Sequence, residues 1–302
     1  ASGNPIAPGT ISGAGTTPAD AAEKGRTNIG AYAEIGQDLT DNWHVDLAGR
    51  YEDYNDGSGT TRNGKVSTRY QLTPILAVRG TFSTGFRAPS LAQQIYSSTS
   101  QSNVNGNLID YRNVAVDSAV AKALGATTLK PEKSTNVSVG LTLQPNDVTS
   151  ITLDAYQIEI RDRIALTGFL YGNGVDQALV ANGYKPGYRI KYFTNAADTT
   201  TRGIDLVADY RVDYGQFGRV KYGVGFNYNK TEIDDIKETP AALKAAGIYL
   251  ELFDRVAQGY LTVANPKTKL ILSANWQIDR FTINAGLTRY DKVVALDANP
   301  NY

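Results

Sequence analysis

Residues that usually carry out catalysis or hold metals are sparse in this chain of 302 residues. It contains one histidine, His44, and no cysteine, which excludes a thiol nucleophile and most zinc sites. His44 lies on the polar side of an alternating segment, where we interpret it as a solvated residue rather than a metal ligand. Because no Ser/His/Asp set can be assembled around it, the sequence predicts no enzyme activity, no metal site and no cofactor.

Neighbouring carboxylates, the other candidates for acid–base chemistry, occur at three places. They are Glu52/Asp53, Glu159/Asp162 and Asp234/Asp235. We interpret them as solvated charges at strand ends and in connections. The stretch Asp53-Tyr54-Asn55-Asp56-Gly57 is similar to a calcium loop, but it lacks the twelve-residue spacing and the final Glu of that motif.

The overall composition narrows the classes of partner. Lys plus Arg and Asp plus Glu each number 30, which leaves no footprint for nucleic acid and no polybasic surface for anionic lipid. No apolar run reaches the ~18 residues of a spanning helix, although a transmembrane barrel needs none. The chain has 19 Tyr and no Met. Since it has neither a start residue nor a signal peptide, we expect a mature or excised piece of a longer protein.

Period-two alternation of apolar and polar residues is the dominant pattern. In the segment that follows Asn42, for example, Val45 and Leu47 fall on one face and His44 and Asp46 on the other. About ten segments alternate in this way: Thr27–Leu39, Trp43–Tyr51, Lys65–Leu72, Leu76–Phe86, Asn136–Gln144, Ile151–Ile160, Gly203–Val212, Val220–Asn229, Leu270–Ile278 and Phe281–Leu287. In one of them the apolar parity changes after Ala155, which predicts a β-bulge there.

The connections between these segments alternate strictly between short and long. The short ones are Asp41-Asn42, Thr73-Pro74, Pro145–Asp147, Asp213–Phe217 and Asp279-Arg280, and the long ones are Asn55–Gly64, Arg87–Lys133, Ala165–Tyr188 and Glu232–Pro266. In an up-and-down barrel, all turns then share one rim and all loops the other. The sequence therefore predicts an all-β fold: an antiparallel transmembrane β-barrel with short periplasmic turns and long extracellular loops.

Two further patterns refine this prediction. Aromatic residues gather near the strand ends, as expected for interfacial girdles; they include Trp43, Phe217, Trp276 and Phe281 beside turns, and Tyr51, Phe86 and Tyr228 toward loops. Ala-rich stretches without Gly or Pro predict short helices inside the long loops, over Ser118–Leu124, Val175–Ala181 and Ala241–Ala246.

Four motifs, in order along the chain, resemble those of TonB-dependent outer-membrane receptors. The segment Gly80–Leu91 contains G-F-R-A-P-S, and Leu129–Ser134 reads L-K-P-E-K-S. The strand end Ile158–Ile164 follows, and Asn195-Ala196-Ala197 then precedes Arg202-Gly203. The resemblance covers roughly residues 27–292, and its best-matching residues are Gly85, Phe86, Arg87, Pro89, Pro131, Glu132, Arg202 and Gly203.

The resemblance implies a barrel of about 22 strands with an N-terminal plug, in the outer membrane of a Gram-negative bacterium. Such receptors take up scarce nutrients, most often ferric siderophores and otherwise cobalamin, haem or glycans, and the TonB complex acts on the plug. We expect residues 1–26 to be a loop remnant, 27–296 an arc of barrel wall and 297–302 the start of a further loop. Plug and final strands are expected to lie outside this sequence.

The resemblance also directs attention to the loops as the ligand-binding region, with membrane lipid and an iron chelate as expected partners. Arg87 and the loop tyrosines are the candidate contacts: Tyr96, Tyr111, Tyr171, Tyr184 and Tyr249. For Arg87, pairing with a plug carboxylate is the competing interpretation. A passive porin-type channel and a soluble extracellular β-rich binding protein remain as alternatives.

Overall fold

The computed structural model describes residues 20–104, 106–245, 247–248 and 251–297. Its main element is a ten-stranded antiparallel sheet in which each strand pairs with the next along the chain. The strands are β1 (Asn28–Thr40), β2 (Trp43–Tyr54), β3 (Thr60–Thr73), β4 (Leu76–Arg87), β7 (Glu132–Asn146), β8 (Thr149–Leu166), β10 (Phe193–Asp213), β11 (Arg219–Ile236), β12 (Thr268–Ile278) and β13 (Phe281–Tyr290).

The ten predicted strands are confirmed, and so are three of the four predicted long connections. The fourth is wrong: β3 begins at Thr60, so residues 55–59 form a connection no longer than the one between β10 and β11. Tight connections join β1 to β2, β3 to β4, β7 to β8, β10 to β11 and β12 to β13, and these mark what we term the turn rim. The longer connections meet at the opposite end, the loop rim. β1 and β13 form the two edges of the sheet, so these ten strands are arranged as a stretch of wall rather than as a small closed barrel.

The cross-strand register divides the sheet into two faces of different chemistry. Leu47 lies opposite Ile35 and Val66, and Phe82 lies opposite Val66 and Val137, so these side chains share an apolar face. The alternate residues, among them Asp46 and Ser67, share the polar face. Large apolar side chains on the apolar face are exposed: Leu47 is 49% and Phe82 50% exposed. This face therefore requires an apolar solvent.

An aromatic belt follows the apolar face near the turn rim. The rings of Trp43 and Tyr70 meet edge-on with centroids 6.5 Å apart. Trp43 Nε1 donates to Thr68 Oγ1 at 2.7 Å, and Trp276 Nε1 donates to the Phe217 carbonyl at 2.6 Å. With their polar atoms satisfied in this way, the two indoles can lie at a membrane interface.

The bulge predicted near Ala155 is wrong. Ala155 stands in regular register with Val139 on β7 and with Ile204 on β10. The parity changes because apolar side chains from Tyr156 to Ile160 lie on the polar face, not because the backbone shifts. The irregularity lies further along, where Asp162 adopts a φ of 56° and the β8–β10 register slips between Asn195 and Thr199.

Inside the long loops, the three predicted helices are confirmed as α2 (Ala119–Ala123), α3 (Asn173–Ala181) and α4 (Ala241–Ala245). Sequence patterning missed α1 (Leu91–Ile95) and α5 (Arg255–Thr262). It also missed a small sheet that joins two loops, made of β5 (Ser98–Val104), β6 (Asn107–Asn113) and β9 (Arg189–Lys191). No helix among the described residues is long and apolar enough to cross a membrane.

The main hydrophobic core of the chain lies in these loops rather than in the sheet. Segments 88–131, 167–192 and 237–267 pack against one another, and we refer to them together as the loop cap. Its fully buried side chains come from all three segments and include Val120, Leu124, Leu170, Leu179, Tyr192 and Leu243. The cap is thus a packed unit stabilised by burial from water, unlike the wall beneath it.

The apolar face generates a first test. In proteoliposomes, the fluorescence of both Trp43 and Trp276 is expected to be quenched by lipids brominated near the headgroup, since both indoles lie on that face beside the turns. Trp43→Phe and Trp276→Phe variants separate the two signals. If neither tryptophan is quenched, the apolar face does not contact lipid.

Candidate functional site

The first two family-like motifs meet at one ion pair. Arg87 donates from Nε to Glu132 Oε2 at 2.8 Å and from Nη2 to Glu132 Oε1 at 2.5 Å, which is the bidentate geometry that arginine favours. Glu132 Oε1 also accepts from the backbone amide of Ile164 at 2.7 Å. Arg87 therefore pairs with a carboxylate of the adjacent strand. Glu132 is buried, and this pair and the amide both stabilise its charge.

Asn195, from the fourth motif, ties the other motifs together. Its amide Nδ2 donates to the carbonyls of Lys130 and Asp162, at 2.9 and 2.6 Å, and its Oδ1 accepts from the Lys130 amide at 2.9 Å. The L-K-P-E-K-S loop and the end of β8 are thus fixed to the start of β10. Pro89, from the first motif, accepts from Arg26 Nη1 at 2.8 Å through its carbonyl.

Gly203 provides space for a tyrosine on the polar face. It pairs directly with Tyr156, and a Cβ built at Gly203 would lie 2.3 Å from the Tyr156 ring. The ring therefore lies flat over the glycine, an arrangement that stabilises glycine positions in sheets. Its neighbour Arg202 points to the opposite face, where it donates to Gln157 at 2.7 Å and to Glu232 at 3.3 Å. Both motif residues have structural roles.

Two of the five candidate tyrosines come together in the loop cap. Tyr111 and Tyr171 both lie close to Arg189, whose guanidinium is 5.7 Å from the first ring centre and 4.8 Å from the second. Phe169 packs on Tyr111 with centroids 4.5 Å apart, and Lys191 Nζ lies 3.9 Å from the Phe169 ring centre. We refer to Tyr111, Phe169, Tyr171, Arg189 and Lys191 as the cationic–aromatic cluster.

The small loop sheet positions this cluster. β6 and β9 pair in parallel, with Tyr111 opposite Arg189 and Asn113 opposite Lys191, so all four side chains share one face. Residues between them, Arg112 and Ile190, point to the buried face. The strand pairing therefore fixes both cations beside the aromatic rings.

Burial and a nearby carboxylate have opposite effects on the pKa of Lys191. Burial lowers the pKa of Lys191, and the charge of Asp254 partly offsets that effect. Asp254 begins α5 by accepting from the Ala257 amide at 2.9 Å. Arg189 has no carboxylate within ion-pair distance among the residues that the structure describes, and its charge instead faces the rings of Tyr111 and Tyr171.

The other candidate residues lie elsewhere. Tyr96 packs edge-on against Phe193, and Tyr184 stacks under Arg112, 5.0 Å from its guanidinium, on the opposite side of the loop sheet. Arg87 is held in the wall by Glu132. Tyr249 lies outside the described residues. The sequence prediction therefore identified two members of the cluster, whereas Tyr96 packs at the start of β10 and Tyr184 packs within the loops.

Phe169, Arg189 and Lys191 were missed by the sequence analysis. The one available signal was the alternation Arg189-Ile190-Lys191, which places two cations on one side of a buried isoleucine. Three residues are too few to predict a strand from periodicity alone. Pairing between β9 and β6, which are far apart in sequence, is what brings these cations to the aromatic rings.

Tyr192 joins the loops beside this cluster. Its phenol is 1% exposed and donates to the Leu124 carbonyl at 2.9 Å, which links segment 167–192 to segment 88–131. Burial raises the pKa of this phenol above its ordinary value. Within the described part of the chain, no group of three or more His, Cys, Asp or Glu side chains is arranged to hold a metal ion.

Comparison of the sequence with protein-family models identifies the family of barrels to which this wall is similar. The family model described as TonB dependent receptor-like, beta-barrel, matches residues 2–302. The chain belongs to this family. Its ten-stranded sheet is accordingly a segment of such a barrel wall. No curated protein matches the chain.

Solved structures of siderophore receptors have the same fold at low sequence identity. The siderophore receptor PirA of Pseudomonas aeruginosa is 13% identical, with a TM-score of 0.58 over 88% of this chain and 41% of that one. A mutant ferric enterobactin receptor, PfeA, of the same organism, in complex with enterobactin, is 15% identical, with a TM-score of 0.58 over 89% and 33%. The FrpB iron transporter of Neisseria meningitidis is 16% identical, with a TM-score of 0.54 over 87% and 32%.

This chain therefore spans between about a third and two-fifths of the length of these structures.

The buried carboxylate at the junction of the motifs generates a second test. Glu132→Gln removes the charge that balances Arg87 while leaving a side chain of the same size. We expect a loss of about 1–3 kcal/mol in the free energy of unfolding, since one charged hydrogen-bonding group is removed from a buried site. Thermal unfolding in detergent measures it. The control is Glu34→Gln, an exposed carboxyl group on the polar face of β1, and an equal loss in both variants would contradict this role.

Proposed function

We propose that this chain is the wall segment and loop cap of an outer-membrane receptor that takes up a ferric siderophore with energy supplied through TonB. The observation that carries the proposal is the cationic–aromatic cluster in the cap of a TonB-dependent receptor barrel. In this proposal residues 27–296 form the wall, 1–26 and 297–302 belong to flanking loops, and the loop rim faces the cell exterior.

The chemistry of the cluster suits a siderophore complex. Ferric complexes of catecholate and related chelators are anionic and carry planar groups. Arg189 and Lys191 supply positive charge, and Tyr111, Phe169 and Tyr171 supply ring faces on which planar groups stack. Cobalamin and glycans are largely uncharged at their periphery and would make less use of two cations. The siderophore receptors among the structural relatives support the same ligand class.

The proposed partners follow from the wall and from the family. The apolar face would contact outer-membrane lipid. A plug would fill the barrel and meet the TonB complex, as in other receptors of the family. On the polar face, small residues such as Ser83 and Ser138 leave room for a hydrated plug. In this proposal the only metal is the iron carried by the ligand, and nucleic acid is not a partner.

The loop cap favours a receptor over a passive channel. A porin needs an open lumen, usually narrowed by one constriction loop. Here three loop segments share one hydrophobic core, and Phe253 of the third segment packs on Ala196 and Ala197 at the top of β10. Such a cap is suited to hold a ligand, whereas it would obstruct free diffusion.

The decisive experiment removes the cationic–aromatic cluster from the full-length receptor. The test uses a strain that depends on this receptor for iron and the double variant Arg189→Gln, Tyr111→Ala. We expect the double variant to bind the cognate ferric siderophore at least tenfold more weakly, because one charge and one stacking surface are lost. Equilibrium binding of the iron-55 complex to the purified receptor measures affinity, and iron-55 uptake by cells measures transport.

Lys185→Gln is the matched control, since it removes a cation from the same loop outside the cluster. Uptake that continues after removal of TonB would contradict the proposed mechanism. Unchanged siderophore affinity in the double variant would show that the cluster is not the binding site.

A further inference from the structure

The sheet opens into a cleft at the loop rim, between β3 and β4. β3 pairs with β4 from Thr73 as far as Lys65, which lies opposite Ser83. Beyond that point β4 continues to Arg87 with β7 as its only partner, and the upper part of β3 stays with β2. The separation of the two strands leaves a cleft of about 480 Å³.

Four cations line this cleft: Arg62, Lys130, Lys133 and Arg161. Arg161 lies 3.9 Å from Glu159, and it is 70% exposed. In the described chain, none of the other three has a carboxylate within 4 Å. The Arg62 guanidinium instead lies 6.0 Å from the centre of the Tyr51 ring. One carboxylate, Asp162, also lines the cleft, but it is 4.0 Å from Lys237. The cleft therefore carries an excess of positive charge.

Lys133 and Arg161 are opposed in a way that sheets normally avoid. They are direct cross-strand partners on β7 and β8, so their side chains share one face. Like charges in this position repel each other. The chain contains a second such pair on the same face, Arg202 and Lys230, and there Glu232 accepts from both, at 3.3 and 2.5 Å. Lys133 and Arg161 lack an equivalent bridging carboxylate. An external anion would supply the missing negative charge between them.

An apolar groove continues from the cleft down the apolar face. It has a volume of about 500 Å³, and Thr84 lines both the groove and the cleft. Its sides are formed by Ile35, Leu47, Val66 and Phe82. Gly49 and Gly64 lie opposite each other in its floor. A Cβ built on Gly49 would have no atom within 4 Å, so the paired glycines leave a strip of the apolar face that no side chain covers.

We propose that the cleft and groove together bind one phosphorylated membrane lipid, with a headgroup phosphate between Arg62, Lys133 and Arg161 and an acyl chain over Gly49 and Gly64. Charge complementarity selects the phosphate, and the joining of the cleft to a groove on the lipid-facing side selects a lipid over a soluble anion. The proposal rests on the membrane location given under the proposed function and is independent of the siderophore.

The test measures lipid binding to the full-length receptor in detergent by native mass spectrometry and by thermal shift. The probes are diphosphoryl lipid A, the same lipid without its phosphates, and inorganic phosphate. Lys133→Gln with Arg161→Gln is expected to lower the affinity for diphosphoryl lipid A at least tenfold. The matched control, Arg202→Gln with Lys230→Gln, removes the like-charge pair that already has its carboxylate, and its affinity should stay within twofold.

A second pair of variants tests the groove without changing charge. Gly49→Leu fills the strip and is expected to reduce the amount of lipid retained at least threefold. Gly80→Leu, on the same face but outside the groove, should retain lipid as the parent does. Equal binding of the dephosphorylated lipid, equally tight binding of inorganic phosphate, or unchanged binding in both test variants would overturn the proposal. Siderophore uptake, measured alongside, should persist in all four variants, so failure of the lipid site is distinguishable from failure of the proposed function.

Discussion

The pairing of each strand with its sequence neighbour, from Asn28 in β1 to Tyr290 in β13, is the constraint on which the remaining structure depends. Because side chains alternate across an antiparallel ladder, one register decides for every residue whether it meets the apolar or the polar side. A single-residue slip would move Leu47 into the lumen and Asp46 into lipid. The wall therefore has little core of its own, and its stability depends on complete backbone hydrogen bonding and on the solvent that each face meets.

An element can be predicted from the sequence when the residues that form it are close together in the chain, and not when they are far apart. The ten wall strands were predictable, because each has its own period-two pattern and a membrane-facing side. The helix α1 carries a detectable signal, since Ser90 and Gln93 form a capping box. The pairing of β6 with β9 has no such signal, because β9 contributes only three residues and β6 is far away in the sequence. The phase change after Ala155 was misread because the sequence does not say that Tyr156 fits over Gly203.

The motifs acquire a physical meaning from their contacts. Arg87, Glu132 and Asn195 lie in different segments of the sequence, yet their side chains join the end of β4, the start of β7, the end of β8 and the start of β10. These hydrogen bonds lie at the loop rim, where the wall strands end and the loop cap begins. The motif residues thus hold the base of the cap, whereas the cationic–aromatic cluster lies on loop elements above it. Family resemblance identifies the first set and says little about the second.

The shared core of the cap has a consequence for how binding specificity can change. Leu124, Leu179 and Leu243 come from three different loops and are buried in one hydrophobic core, and Tyr192 links two of those loops by a hydrogen bond. Transplanting a single loop from another receptor would therefore introduce a cavity or a steric clash into its neighbours. In both natural diversification and receptor engineering, the three loops should behave as one exchangeable module, inherited or replaced together.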